Sequence, residues 1–446
     1  MCRRNVMIML KRSLVFTSFL LISLVQPTRA SVDRDPQTVQ ERQNRNTITL
    51  PQTDRIEQTV LVAGIRLTRT DPRLAEADRI EQQIEDLYQQ GKYTEASRIA
   101  EQVLAIREAI LGDHPDTATA LITLGFIYDT MGQYADAEPL YKRALAINEQ
   151  QLGANHLNTA NSLNRLAFLF YEMGRYEEAE PLYHRAFAID EAQLGSEHLV
   201  TAISLNFLAL LYEVTNRYEE AERLYQRTLS IREKQLGSNH PDTALSLDNL
   251  AVLYQKTGRY EEAESLHQRA LAVREEQEED PNTSLSLTLL ADLYQVMGRY
   301  SEAEPLYKRA LAIDEQQLGA NHPNTAGGLN NLAALYWSQE HFDQSLDFLR
   351  RGLDVEEINI LQNVATLTER EQKAYLNTIA GSSDEIISLH LQHLPTNPQA
   401  SRVALTTILR RKGRILDTLS NSLQRIRANA TPADLARLDQ LSQLHT

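Results

Sequence analysis

Five histidines recur in one setting: His114, His156, His198, His240 and His322 stand in "LGDHPDT", "LGANHLNT", "LGSEHLVT", "LGSNHPDT" and "LGANHPNT". Imidazoles, two of them with an aspartate two places on (Asp116, Asp242), are groups that bind zinc or move protons. A zinc site needs its ligand nitrogens about 2.0 to 2.1 Å from one ion, whereas equivalent residues of stacked repeats are offset by roughly 8 to 10 Å. Neighbouring histidines of a repeat therefore do not converge, and one unit, "EEQEEDPNT", has no histidine at all. The phrase reads instead as a joint. Its glycine closes one helix and its proline opens the next, where first-turn amides lack helical partners, with Asp242 or Thr243 expected as the cap.

A second chemical candidate is the acidic run "YEEAE" at 176–180, 218–222 and 260–264. Carboxylates in the first turn of a helix favour its positive end by a few tenths of a kcal/mol each, so the run is expected to be a solvated outer face rather than a cation site. Cys2 is the only cysteine, which excludes internal disulfides and cysteine-ligated zinc. No metal, cofactor or catalytic residue is assigned.

Positioning these residues requires a repeat. The turn phrases "QQGKY", "TMGQY", "EMGRY", "VTNRY", "KTGRY", "VMGRY" and "SQEHF" place Gly91, Gly132, Gly174, Asn216, Gly258, Gly298 and Glu340 at intervals of 41, 42, 42, 42, 40 and 42. A fixed period of this size marks a solenoid. Within each unit, apolar residues such as Leu247, Leu250, Ala251 and Tyr254 fall at helical spacing before the turn, and the acidic run opens a second helix after it. Ala137, Ala179, Ala221, Ala263 and Ala303 each lie 12 residues after Gly125, Ala167, Ala209, Ala251 and Ala291, predicting close helix contact.

This small-residue frame, with leucine one place before the first small residue and tyrosine three after it, resembles the tetratricopeptide repeat. With the longer period and the "LGxxHPxTA" joint it is similar to the extended repeat of kinesin light chains. The resemblance covers about 74–361, seven hairpins, the first and last departing from the pattern (Ser345 and Gly352 replace alanine) as worn capping units. It implies an all-α, right-handed superhelical solenoid with the first helices on a continuous concave wall. It also implies a protein or extended peptide as partner, held by asparagines two places before the leucine. Those positions hold Ile122, Asn164, Asn206, Asp248, Thr288 and Asn330, so Asn164, Asn206 and Asn330 inherit the role, with Asp248 as a departure. Phe126, Phe168 and Leu210 align one repeat apart, and Tyr171 and Trp337 share another groove-facing offset. Core packing is the competing reading of those stripes.

The remaining segments bound the setting. Residues 1–30 read as a secretory signal: Arg3, Arg4, Lys11 and Arg12, an apolar run Leu14–Val25, then "TRA" with cleavage expected after Ala30. An uncleaved anchor is the alternative, although the run falls short of the ~20 residues of a stable membrane span. Cleavage moves the net charge from -15 to -20, an acidity that disfavours nucleic acid. Residues 31–73 read as a flexible polar leader. Residues 366–446 read as helical, with a capping box Thr368–Glu371, a turn at 395–398, a long helix to about Ala428 and another opening at Thr431. The basic cluster Arg410, Arg411, Lys412 and Arg414 is expected to be a solvated helix face. This tail resembles the segment that precedes caspase-like CHAT domains in bacterial repeat proteins. The leading expectation is thus an exported, non-enzymatic binding scaffold. The alternatives are a recruiting arm of a CHAT-type protease and an oligomer built through the C-terminal helices.

Overall fold

A residue at positive φ just past the end of each first helix, glycine in five of the seven hairpins, turns the chain back on itself. Six of the seven turn positions identified above carry glycine or asparagine at positive φ, and the seventh, Glu340, holds φ 60 with a side chain. A computed structural model describes residues 71–276, 282–364, 372, 375 and 381–410. The signal segment, nearly all of the leader, the joint at 277–281, the Thr368–Glu371 box and everything beyond 410 lie outside the described residues.

The hairpins are α1 (Pro72–Gln89) with α2 (Tyr93–Leu111), α3 (Pro115–Thr130) with α4 (Tyr134–Gln151), α5 (Leu157–Glu172) with α6 (Tyr176–Leu194), and α7 (Leu199–Val214) with α8 (Tyr218–Leu236). They continue as α9 (Pro241–Lys256) with α10 (Tyr260–Glu275), α11 (Thr283–Val296) with α12 (Tyr300–Gln317), and α13 (Pro323–Ser338) with α14 (Phe342–Val364). Each helix packs mainly on its predecessor and successor, and consecutive odd helices touch more closely than consecutive even ones, so the odd helices form the inner wall. The small residues behave as their spacing predicts: Ala167, Ala179, Ala209, Ala221, Ala251 and Ala263 are fully buried where odd and even helices meet.

Histidine itself is the cap at the joints, which corrects the expectation of Asp242 or Thr243. The Nδ1 atoms of His114, His156, His198, His240 and His322 each accept the backbone N–H two residues on, at 3.1 to 3.2 Å. Thr159, Thr201, Thr243 and Thr325 instead donate through Oγ1 to the carbonyls of Gly153, Gly195, Gly237 and Gly319 at 2.8 Å, tying the joint shut. Accepting a hydrogen bond requires a lone pair on Nδ1, so the cap belongs to neutral histidine.

The acidic run is clamped rather than merely solvated. Arg175, Arg217, Arg259 and Arg299, from the turn, grip Glu178, Glu220, Glu262 and Glu302 three residues on. The same guanidinium reaches Glu138, Glu180, Glu222 and Glu264 of the preceding hairpin. It also lies 3.6 to 4.1 Å from the ring of Phe170, Tyr212, Tyr254 or Tyr294. The first glutamates of the run, Glu177, Glu219 and Glu261, are exposed, and Glu219 lies 3.9 Å from Arg223.

The two end hairpins do more than cap: they meet each other. Asn363 near the end of α14 donates to the Gly91 carbonyl at 3.0 Å and accepts from Thr94 N–H at 3.2 Å, while Thr94 Oγ1 donates to the Asn363 carbonyl at 2.6 Å. Ile360, Val364 and Tyr375 join the apolar core of the first hairpin. A Cβ on Gly91 would sit 2.9 Å from Pro323 at the start of α13, so the backbone of the first turn is pressed onto the last hairpin. Seven hairpins complete one circuit.

Beyond the array, α15 (Gly381–Gln392) and a helix over 398–410 pack on α14 through Ile386, Leu389, Ala400 and Ala404. Asn397 caps the second of these by accepting from the amides of Gln399 and Ala400, consistent with the turn expected at 395–398. Arg410 lies 3.9 Å from Asp354, and the rest of the basic cluster falls outside the described residues. No helix among the described residues is long and apolar enough to cross a membrane.

Candidate functional site: the inner wall

The asparagine positions proposed for peptide contact point into the seams between helices. Asn164 is buried and donates to Ser204 of α7 at 3.1 Å. Asp248 is completely buried, and its carboxylate receives Arg274 at 2.6 Å, Ser286 at 2.8 Å and His267 Nδ1 at 2.8 Å. No ligand reaches Asp248, which corrects its assignment to the groove. Burial would raise its pKa, but Arg274, then His267 and Ser286, outweigh burial and hold the carboxyl below the usual carboxylate range. Asn206 accepts from Asn249 of α9 at 2.9 Å and Asn330 donates to Glu356 at 3.1 Å, and both remain half-buried at the edge of the wall.

These bonds belong to a polar seam that runs from hairpin to hairpin. Asn148 bonds Ser162 at 2.8 Å, Ser204 donates to Asp190 at 2.6 Å, and Arg232 bonds Ser246 at 2.9 Å. Burial lifts the Asp190 carboxyl to about 6. Because buried polar groups are costly unless partnered, the seam fixes which helix faces meet.

The aromatic candidates divide. Phe168 is core, 5% exposed between Tyr171 and Phe207. Tyr171 is half-buried on the wall, and Trp337 is half-buried with His393 edge-on at 5.2 Å, where the C-terminal segment covers it.

The positions that open on the inner wall lie one residue beyond the Tyr171 and Trp337 offset. Thr130, Glu172, Val214, Lys256, Val296 and Ser338 end the odd helices α3 to α13 in register, all partly or fully exposed. Sequence reasoning missed them by one place, about 100° around a helix. Their outward direction follows from the turn that comes next, which leaves the last odd-helix residue without a covering even helix. Among the described residues, no group of three or more histidine, cysteine, aspartate or glutamate side chains is placed to hold a metal ion.

This architecture is matched by a known family. The tetratricopeptide repeat model matches residues 76–150, 131–192, 158–234, 206–276 and 282–357, together more than half of the chain. Among solved structures, the chain is similar to nearly identical TPR-like repeats of a putative kinesin light chain from Podosopora anserina. That match has 30% identity and covers 46% of this chain and 97% of that one, with a TM-score of 0.39. It is also similar to BtubC (BKLC) from P. vanneervenii, at 25% identity over 55% of this chain and 91% of that one, TM-score 0.40. A tetratricopeptide repeat protein from Parabacteroides merdae matches at 17% identity, covering 68% of this chain and 98% of that one, TM-score 0.41. No curated protein matches the sequence. The hairpins, their joints and the family match agree, and the chain belongs to the tetratricopeptide repeat family.

Proposed function

We propose that the chain is a non-enzymatic scaffold that takes an extended peptide segment of a protein partner along its inner wall. Tetratricopeptide arrays are generally protein-binding scaffolds, and one observation gives the reading its place here. A stripe of uncovered side chains, Thr130, Glu172, Val214, Lys256, Val296 and Ser338, advances one hairpin at a time around the inside of the array. An extended chain rises about 3.3 Å per residue, so roughly every third residue of a bound segment meets the next hairpin, 8 to 10 Å on. The stripe mixes apolar positions, Val214 and Val296, with polar ones, which suits a partner of mixed character.

Panning a random nonapeptide library against the full chain tests this. The paired change Val214→Arg and Val296→Arg should abolish selection, while Glu219→Arg with Glu261→Arg, on the outer face, should leave it intact. A wall variant that melts like the parent yet selects the same peptides would overturn the proposal. We place this activity outside the cytoplasm, on the strength of the basic, apolar and small-residue order of residues 1–30. N-terminal sequencing of the mature protein should begin at Ser31, and an intact Met1 would refute export by cleavage.

A further inference from the structure

Three polar slots recur between the ends of consecutive odd helices, each formed by the next-to-last residue of one and the last residue of the next. In the slot between α7 and α9, Glu213 is ion-paired with Lys256, and Tyr225 of α8 donates to Glu213 at 2.8 Å. In the slot between α11 and α13, Gln295 donates to Ser338 at 3.1 Å and accepts from Tyr307 of α12 at 2.9 Å. The slot between α3 and α5 holds Asp129 and Glu172, two carboxylates where its counterparts pair donor with acceptor.

Asp129 is 2% exposed, and neither of its carboxylate oxygens has a hydrogen-bond partner among the described residues. The tyrosine that should serve it, Tyr141, has its ring against Gly125, where a Cβ would lie 2.9 Å from the ring edge. In the other two slots an alanine, Ala209 or Ala291, occupies that place. Arg165 acts on Asp129 only through space, its guanidinium lying over the Phe126 ring at 5.7 Å. Burial, reinforced by the charge of Glu172, pushes the Asp129 carboxyl far above the carboxylate range, and burial lifts Glu172 to about 7. Glu172 is half-buried, so the slot opens on the inner wall past its side chain.

We propose that the Asp129 and Glu172 carboxylates form a subsite for the ammonium or guanidinium of a lysine or arginine side chain on the bound peptide, which takes the place that Lys256 fills between α7 and α9. Two carboxyl groups close enough for Glu172 to act on Asp129, with Tyr134 and Tyr171 within reach of Glu172, suit an organic cation. Dedicated protein sites for hard metal ions use more oxygens. The proposal rests on the inner-wall reading above and names what one of its positions recognises.

The library just described separates the two. Peptides selected by the full chain should carry lysine or arginine at one fixed position. Replacing that residue by norleucine should weaken binding about tenfold or more, the size of a charge-assisted hydrogen bond. Glu172→Lys supplies the cation internally, so it should remove the basic preference while peptides are still selected, and should raise the melting temperature. Glu172→Gln, which keeps the side chain's shape, should weaken the preference without removing selection. Selected peptides with no basic preference would overturn the subsite and leave the inner-wall reading intact. A basic preference that survives both Glu172→Lys and Asp129→Asn would also overturn it. A library that yields no binders would overturn both.

Discussion

Acid should loosen the start of α13 through His322, and asparagine at that position should remove the effect. The ring is 8% exposed beside the first turn of the array, and its Nδ1 accepts the Asn324 amide at 3.2 Å, which only neutral imidazole can do. Burial, opposed by a weaker hydrogen bond toward the Gln89 backbone, pulls its pKa from 6.5 down to about 4. Between those values the unfolded chain binds a proton that the folded chain refuses. The histidine's contribution is therefore complete above pH 6.5 and lost as pH falls toward 4. A gap of roughly 2.5 units corresponds to about 3 kcal/mol in full, and to about 2 to 3 kcal/mol at pH 4.5. His322→Asn keeps a good helix cap and does not titrate. Asp190 and Asp314, raised to about 6, and Glu172, raised to about 7, act in the opposite sense, gaining stability as pH falls. They are common to both chains and cancel in the difference. Urea unfolding of parent and variant at pH 7.5 and 4.5, with equal denaturant slopes as the control, reads that difference directly. A stability gap between the two chains that stays constant across the range would refute the reasoning.

Three further outcomes follow from contacts already described. Asn363→Ala removes two of the bonds that join the last hairpin to the first and should cost about 1 to 3 kcal/mol, with a larger radius of gyration by small-angle scattering; an unchanged radius would show that the apolar contacts alone close the array. Asp248→Ala leaves Arg274 buried without its carboxylate and should cost about 3 to 5 kcal/mol by chemical denaturation, against about 1 kcal/mol for Asn164→Ala; similar costs would contradict the burial argument. Glu340→Gly relieves a side chain from φ 60 and should raise stability by about 1 kcal/mol, and a lower melting temperature would count against it.

Period, hairpin boundaries and small-residue contacts were all legible in the sequence, because each depends on residues close together in the chain. The glycine of the turn and the alanines 12 residues after their partners state their own geometry. The histidine cap was half legible: its phrase marked a joint, but histidine, threonine and aspartate all carry acceptors there, and the choice depends on Thr243 being turned to the Gly237 carbonyl, which leaves the amide to His240. The burial of Asn164 and Asp248 was not legible, because Asn206 and Asn330 share their helical offset and stay half-buried; what separates them is the partner supplied by another helix, Ser204 for Asn164 and Arg274 with Ser286 for Asp248. The Asp129 and Glu172 slot was hidden for another reason. Its members lie in different hairpins, and their lack of a partner shows only beside the filled slots at Glu213 and Gln295. Closure was the least legible feature, since it sums a small rotation over seven units that no local motif encodes.

That meeting of Asn363 with Gly91 and Thr94 changes what evolution and engineering can do with the array. An ordinary solenoid tolerates gain or loss of a unit, since each repeat answers only to its neighbours. Here the copy number is quantised as it is in a propeller. A duplicated or deleted hairpin would leave two unmatched faces and expose the apolar surfaces around Ile360 and Val364. New binding specificity in such a chain has to come from substitutions within its existing units, not from changes in length.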